Sequence, residues 1–325
     1  MNIEFHYYIT YIIALRAGFK PDDAYVVAYS SQYVDDNSKI FEISPGTANA
    51  YSNYISQTLN IVKPKKELMR IYPIFHFMPG IIDDIETDSA RRCDGKLHLL
   101  NTIPDNRNAQ EILQASFNSN NLYRIGIATH IYSDTFAHQN FVGYYDSFNS
   151  MRGLLEVTTP DIGHADAKYK PDWPALLWED KRLVPSHSKV NNKSRFLEAA
   201  GRLFEEYRRY LNTTYISSVA TQDRDNLVLE IDKAIGDYDG TNEQREDRIA
   251  RYKASIGENF IDYKKDAWFN EAVRKKIGFL KWNYEWKENY QESHWFKFQE
   301  AVKTHQKEAK IILKPIFENM GLENL

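Results

Sequence analysis

The chain has 325 residues, of which 42% are hydrophobic and 26% charged, so it can bury a substantial core and is not a generally disordered protein. Its 45 acidic and 41 basic residues give a formal net charge of −4, without the basic surface that duplex nucleic acid requires. The single cysteine, Cys93, excludes an intramolecular disulfide and a thiolate cluster for structural zinc. Any metal must therefore be held by His, Asp and Glu.

The N-terminal segment is apolar, but it does not resemble a signal peptide. It carries Glu4 and His6, lacks a basic start and shows no small-residue cleavage site. No stretch of the sequence approaches the roughly 20 apolar residues that a membrane-spanning helix needs. We therefore expect a folded N-terminus and a cytoplasmic protein.

Helical periodicity dominates the first half of the chain. A first helix is predicted from Ile3 to Ala17, and a second is predicted to open at Pro21 and run through Tyr33, because proline is accepted in the first helical turn. Residues 44–108 are less regular, with a predicted helix over 48–59, and a third strong helix is predicted over 121–141. Few segments alternate as strands do.

The chain changes character near residue 192. Residues 157–192 contain four prolines, and we expect a ligand to order this segment. The sequence KSRFLEAAGRLFEEYRRYL, which follows, is amphipathic, and charge-rich helical segments continue to Lys310. The sequence therefore predicts an all-α fold, with a multi-helix metal-binding domain over 1–192 and a charged, aromatic-rich helical extension over 193–325.

The most informative motif is RIGIATHIYSDTFAHQNF, in which His130, Asp134 and His138 are spaced at i, i+4 and i+8 on a predicted helix. At about 100° per residue they share one face beside the apolar arc. Eight residues rise about 12 Å, which is too far for both imidazoles to bind one ion. The spacing therefore predicts two metal ions with Asp134 between them.

Further ligands must come from other parts of the chain. Asp35 and Asp36 end the second predicted helix, where its dipole disfavours acids unless a cation is near, and either could bind a metal or act as a general base. His76 lies in an apolar segment where an unpaired ring would be costly. The predicted metal ligands are His6, Asp35, Asp36, His76, His130, Asp134, His138, His164 and Asp166.

This ordered series resembles the zinc-dependent phospholipase C and single-strand nuclease superfamily. The resemblance covers roughly residues 1–190 and rests on the ligand order and on HIYSDTFAHQNF, which is similar to a helix of uncharacterised bacterial relatives. It implies an all-helical fold, a cluster of up to three zinc ions and hydrolysis of phosphate esters. Without the resemblance, His and Asp ligands would equally allow manganese or iron.

The chain departs from that superfamily in three ways. The secreted enzymes use the amino group of a processed N-terminus as a ligand, whereas this sequence begins at Met1. The interval from Asp134 to His138 is shorter than usual. After His164 the superfamily places a carboxylate one helical turn later, whereas here Asp166 follows at two residues and Asp172 is the alternative.

Two hypotheses for the function follow. The first is a metal-dependent phosphodiesterase or phospholipase C-like hydrolase, whose partner is a phosphate-ester substrate. The alternative is a non-catalytic binding or effector module with a structural metal site, whose aromatic segment FLKWNYEWKENYQESHWFKF contacts a lipid surface or a protein.

Overall fold

The structure is a computed structural model that describes residues 1–58, 68–81, 83, 91–151, 161–211, 217–277 and 282–322. A π-helical turn, Glu4–Ile9, leads directly into the first helix. The α-helices are α1 (Thr10–Ala17), α2 (Pro21–Asp36), α3 (Tyr72–Phe75), α4 (Arg107–Asn118), α5 (Leu122–Ala137), α6 (Asn192–Leu211), α7 (Ser217–Ile235), α8 (Arg245–Ile256), α9 (Ala267–Ala272) and α10 (His294–Asn319).

Among the described residues six short strands make two sheets, so the prediction of an all-α fold was wrong and the fold is mixed α/β. The strands are β1 (Glu42–Ile43), β2 (Tyr51–Ser52), β3 (Leu177–Glu179), β4 (Lys189–Asn191), β5 (Val273–Ile277) and β6 (Trp282–Trp286). The larger sheet has the order β2-β1-β6-β5 and is mixed, because β1 runs parallel to β6 while the other pairs are antiparallel. Strands β3 and β4 form an antiparallel pair.

The start and end signals of the first two helices are confirmed. Gly18 follows α1 with φ of +113°, a left-handed conformation that glycine adopts without a Cβ penalty. Pro21 occupies the first turn of α2 as predicted, and that helix continues three residues beyond Tyr33. Asn121 caps α5, its side chain accepting hydrogen bonds from two backbone N–H groups of the first turn.

Two of the predicted helices have different bounds or do not form. The predicted helix over 48–59 was wrong, because its described residues include strand β2 and no helical turn; Leu59 lies outside the described residues. The helix predicted over 121–141 ends at Ala137. Among the described residues of the segment 157–192, β3 and β4 pair with each other and pack in a small second core around Trp178.

The large hydrophobic core takes residues from both sides of position 192. Helix α5 packs against α2, α4, α6 and α10, and α1 packs against α6 and α8. The N-terminal segment is tied to α8 by Glu4, whose carboxylate accepts from Arg248 Nε at 2.8 Å, while Arg248 Nη1 also donates to Asp239 at 2.9 Å. Among the described helices, none combines the length and apolar character needed to cross a membrane.

The titration of His305 in α10 tests whether this side chain is buried in the core, and it does not depend on a metal. Its ring is 1% exposed, and burial lowers its pKa to about 4 although Nε2 donates to the carbonyl oxygen of Ile74. In the unfolded state His305 has a pKa near 6.5 and therefore binds a proton more readily than in the folded state. The contribution of neutral, buried His305 to the free energy of unfolding is therefore complete above about pH 6.5 and is lost as the pH falls towards 4.

We expect the substitution His305→Gln to flatten the acid side of the stability profile. The wild type loses up to about 3 kcal/mol of unfolding free energy through this group between pH 6.5 and 4, whereas glutamine keeps an N–H donor and does not titrate there. Denaturant unfolding of metal-free protein at several pH values measures the difference. Parallel stability profiles of the two proteins would contradict the assignment.

Candidate metal centre

Nine groups from five parts of the chain meet at one end of α5. Part of the cluster lines a cavity of about 490 Å³, together with Gln57, Tyr72, Phe77 and Ile162. The groups are the Met1 amine and the side chains of His6, Asp35, His76, His130, Asp134, His138, His164 and Asp172.

Helix α5 supplies the centre of the cluster because His130 and Asp134 face α2 across a close helix contact. The contact is close because Gly126, one turn earlier, has no side chain: a Cβ there would lie 2.5 Å from the carbonyl oxygen of Val27. His138 follows the last residue of α5, and its N–H donates to the Asp134 carbonyl oxygen at 2.9 Å. It therefore stays next to the helix although it is not within it.

Backbone carbonyl groups fix the proton positions of four histidines. His130 Nδ1 lies 2.8 Å from the oxygen of Ser31, and His138 Nδ1 lies 2.8 Å from that of His76. His76 Nε2 lies 2.9 Å from the oxygen of Ser56, and His164 Nδ1 lies 2.8 Å from that of Lys168. A carbonyl oxygen can only accept, so each of these nitrogens carries the hydrogen. In each neutral ring the other nitrogen presents a lone pair to the cluster.

Two of these lone pairs face each other. His76 Nδ1 and His130 Nε2 are 3.1 Å apart, and neither carries a proton in the neutral ring. Asp35 Oδ1 lies 3.8 Å from both nitrogens, and Asp134 Oδ2 lies 3.6 Å from His76 and 3.2 Å from His130. Four electron-pair donors that converge in this way repel one another unless a cation lies among them.

His6 adds a second group of donors. Its ring is fully buried and stacks on His130 with centroids 3.8 Å apart, and neither ring nitrogen makes a hydrogen bond within the described residues. Nε2 lies 3.2 Å from Asp134 Oδ1, without the geometry of a hydrogen bond. Buried polar atoms without a partner are rare in native proteins and need an explanation such as an ion.

The third group of donors lies at the other side of Asp134. His138 Nε2 is 3.2 Å from Asp172 Oδ1, and His164 Nε2 is 3.4 Å from Asp172 Oδ2. Phe77 stacks on His138 at 4.6 Å between ring centroids and fixes the plane of that ring. The backbone of Gly163 touches the same phenyl ring, where a Cβ would lie 2.5 Å from Cζ of Phe77.

The electrostatics of the site favour the anionic forms of Asp134 and Asp172 and the neutral forms of His6 and His138. Burial raises the pKa of Asp134, but His138, the Met1 amine and His130 outweigh it and hold that pKa well below the usual range. Burial lowers the pKa of His138 to about 4. Burial also lowers the pKa of the Met1 amine, but Asp134 and Asp172 outweigh it and raise it to about 10. The carboxylates therefore attract positive charge into a buried site.

The structure brings together most of the residues chosen from the sequence and leaves two outside. Asp36 lies on another face of α2, where its carboxylate pairs with Lys265 at 2.7 Å and accepts from the Tyr263 hydroxyl at 2.7 Å. Asp166 is buried, and its Oδ2 accepts from the N–H of Met151 at 3.1 Å. Asp172, the alternative carboxylate, lies in the cluster.

The Met1 amine is the group that the residue pattern did not place here. It hydrogen-bonds Asp134 and lies 3.3 Å from both Asp172 Oδ1 and His138 Nε2. The only sequence signal for it was the use of an amino group as a ligand in the superfamily that the chain resembles.

The side chains of the cluster form three groups of donor atoms, each close enough together to hold one ion. The groups are His6, His130 and Asp134; Asp35, His76 and His130; and His138, His164 and Asp172.

Comparison with known proteins identifies a family but no characterised relative. No curated protein and no solved structure matches the chain. A family model described as a family of unknown function, DUF6765, matches residues 1–312, which includes the whole cluster and most of the C-terminal region. The chain therefore belongs to the DUF6765 family.

Proposed function

We propose that this protein is a metal-dependent hydrolase of phosphate esters. The observation that carries the proposal is the arrangement of His76 and His130, whose outward nitrogens donate to backbone carbonyls while their inward lone pairs converge with two carboxylates. Histidines that ligate metals typically donate their other N–H to a carbonyl or carboxylate in this way. The chain order of the gathered ligands supports the proposed relation to the phospholipase C and nuclease superfamily.

Each of the three donor groups would hold one ion, and Asp134, whose oxygens also lie 3.6 Å from His76 and 3.2 Å from His130, would serve as the central carboxylate. Zinc is our first choice because His and Asp suit it and because the resemblance implies it, while manganese or iron would also accept these ligands. The Met1 nitrogen would be a further donor once its proton is displaced. Such ions lower the pKa of a coordinated water towards 7 and stabilise negative charge on phosphoryl oxygens.

The chain's own residues would orient the substrate in the cavity beside the cluster. Among its described lining residues, Gln57 retains an amide N–H₂ group although its Oε1 accepts from Thr58 N–H, and the Tyr72 hydroxyl, which donates to the Thr58 carbonyl, can still accept; Phe77 and Ile162 offer apolar contacts. Asp35 opens towards this cavity, with 29% of its side chain exposed, and burial raises its pKa. Asp35 is therefore the carboxylate that would either complete a metal site or act as a general base.

The first test is metal binding by protein stripped with a chelator and dialysed against zinc, manganese or iron(II). We expect two or three equivalents per chain, and a rate with bis-p-nitrophenyl phosphate that follows the metal content. His130→Ala removes the ring shared by two donor groups, so it should abolish at least one equivalent and the activity.

His305→Ala provides the matched control, because His305 is also buried but lies outside the three donor groups. It should keep the wild-type metal content. No bound metal in the wild type, or equal metal content in both variants, would overturn the metal site. Full metal content with no hydrolysis of phosphodiesters or phosphomonoesters would overturn the hydrolase proposal alone.

Within the described part of the aromatic C-terminal segment, the alternative of a binding module has support at one place. Trp295 is completely buried and Trp286 stacks on Tyr290 at 4.0 Å, so these rings serve packing. Trp282 is 48% exposed. A contact with lipid or protein through this segment would therefore involve Trp282 and its neighbours.

A further inference from the structure

Two exposed apolar side chains lie at the far end of the described part of the β5–β6 hairpin. Ile277 and Trp282 are the cross-strand pair farthest from its base among the described residues. Ile277 is 85% exposed, the highest value for a large hydrophobic side chain among the described residues, and Trp282 is 48% exposed. Cross-strand neighbours lie on the same face of a sheet, so the two side chains form one apolar tip.

Only the base of the hairpin is used by the core. Val273 is buried, Tyr284 pairs with Ile43 of β1, and Trp286 Nε1 donates to the carbonyl oxygen of Asn49 at 2.9 Å. Ile277 and Trp282 lie at the opposite end. The core therefore holds the hairpin in place without needing the apolar tip.

Basic residues stand immediately behind the tip. Arg274, Lys275 and Lys276 are all exposed, and Lys275 Nζ lies 3.9 Å from the ring centroid of Trp282. Glu285 is the one acidic residue in the two strands, and it pairs with Lys276 at 2.5 Å. Three cations against one carboxylate leave a local positive charge on a chain whose formal net charge is −4.

We propose that the hairpin tip docks on an anionic lipid bilayer, with Ile277 and Trp282 entering the headgroup boundary. Tryptophan favours that boundary, and lysine can keep its ammonium at the phosphates while its methylene groups lie in the apolar layer. Each Lys or Arg near an anionic leaflet contributes binding energy that salt screens. This inference does not depend on the metal centre.

A protein partner fits the same surface less well. A specific protein interface buries about 800 Å² on each partner with complementary shape, whereas two side chains at the end of a hairpin offer much less. A bilayer requires no complementary shape. The pairing of a small apolar tip with adjacent cations is typical of peripheral membrane contacts.

Vesicle co-sedimentation of the full-length protein tests the proposal. We expect binding to vesicles of phosphatidylcholine mixed with phosphatidylglycerol, weak binding to phosphatidylcholine alone, and release by salt. The double substitution Lys275→Glu and Lys276→Glu, and the single substitution Ile277→Asp, should each weaken binding at least about tenfold.

Matched controls lie on α10. Ile311 is 72% exposed, so Ile311→Asp removes a similarly accessible apolar side chain away from the hairpin. The double substitution Lys307→Glu and Lys314→Glu makes the same change of charge on exposed lysines of α10. These controls should bind anionic vesicles as the wild type does. Equal binding to both vesicle types, or equal loss in the hairpin and α10 variants, would overturn the proposal. Brominated lipid should quench part of the tryptophan fluorescence of the wild type. Loss of that quenching in Trp282→Phe would place the tip in the bilayer.

Discussion

If the proposed metal sites are occupied, Asp134→Asn is expected to remove two of the proposed metal ions and to reduce the proposed phosphodiester hydrolysis at least about a thousandfold. The two oxygens of Asp134 face different donor groups, Oδ1 towards His6 and Oδ2 towards His130 and His76. Asparagine keeps the volume of the side chain but removes the negative charge that would stabilise the two proposed ions. A loss of several kcal/mol of charge stabilisation corresponds to a rate factor of this size.

Asp172→Asn provides a comparison with Asp134→Asn, because Asp172 belongs to one donor group whereas Asp134 lies close to two. Asp172 contacts His138 and His164 and belongs to the third donor group alone, so this variant should lose one ion and keep the others. Metal analysis of both variants, with circular dichroism as a check of folding, measures the difference. Loss of the same number of ions in the two variants would contradict the central position of Asp134.

Asp36→Asn is the control for charge at the end of α2. Asp36 is adjacent to Asp35 in the sequence, but it pairs with Lys265 outside the cluster. A half-exposed lysine contributes little through such a pair, so the change in stability should stay below about 1 kcal/mol. Metal content and hydrolysis should remain at wild-type levels, and loss of either would return Asp36 to the site.

Gly126→Ala is expected to disturb the metal centre without altering any ligand. The new Cβ would contact Ser30 Cβ and lie 2.5 Å from the Val27 oxygen and 3.1 Å from the Ser31 nitrogen, so α5 must move away from α2. That movement breaks the hydrogen bond from His130 to Ser31, which fixes the orientation and the proton of the ring. We expect a metal affinity lower by about 10–100-fold and an unfolding free energy lower by about 1–3 kcal/mol.

The sign of the stability change in Gly126→Ala distinguishes the steric effect of the new Cβ from the effect of helix propensity. Alanine is a better helix former than glycine by about 1 kcal/mol, so without the steric contact the variant would be more stable. Gly240→Ala is the control, because no atom lies within 4 Å of a Cβ at that position. Thermal unfolding and zinc titration measure both variants. A stabilised Gly126→Ala protein with unchanged zinc affinity would contradict the close contact of α2 and α5.

Local periodicity was sufficient to identify the helix that carries the central candidate ligands. The spacing of His130 and Asp134 on one helical face follows from 3.6 residues per turn, and that pattern depends on no other part of the chain. The same reasoning located α1 and α2 through Gly18 and Pro21. His138 was also correctly placed beside these residues in space, although it caps the helix and does not lie within it.

Long-range packing decided the remaining features. Successive residues of a helix point about 100° apart, so only one of Asp35 and Asp36 can face α5, and the crossing of the two helices selects Asp35. Asp172 lies in the cluster while the Asp166 carboxylate accepts from a backbone N–H elsewhere.

The short strands and the proton positions also depend on tertiary contacts. Strand β6 finds a parallel neighbour in β1, more than 200 residues earlier, and the sequence of the hairpin contains no signal for that pairing. The carbonyl oxygens that fix the tautomers of His130, His76 and His138 belong to Ser31, Ser56 and His76, which only the folded chain brings to these rings; that of Lys168 lies four residues from His164. A residue pattern can nominate metal ligands, but the contacts that orient them are made between distant segments of the backbone.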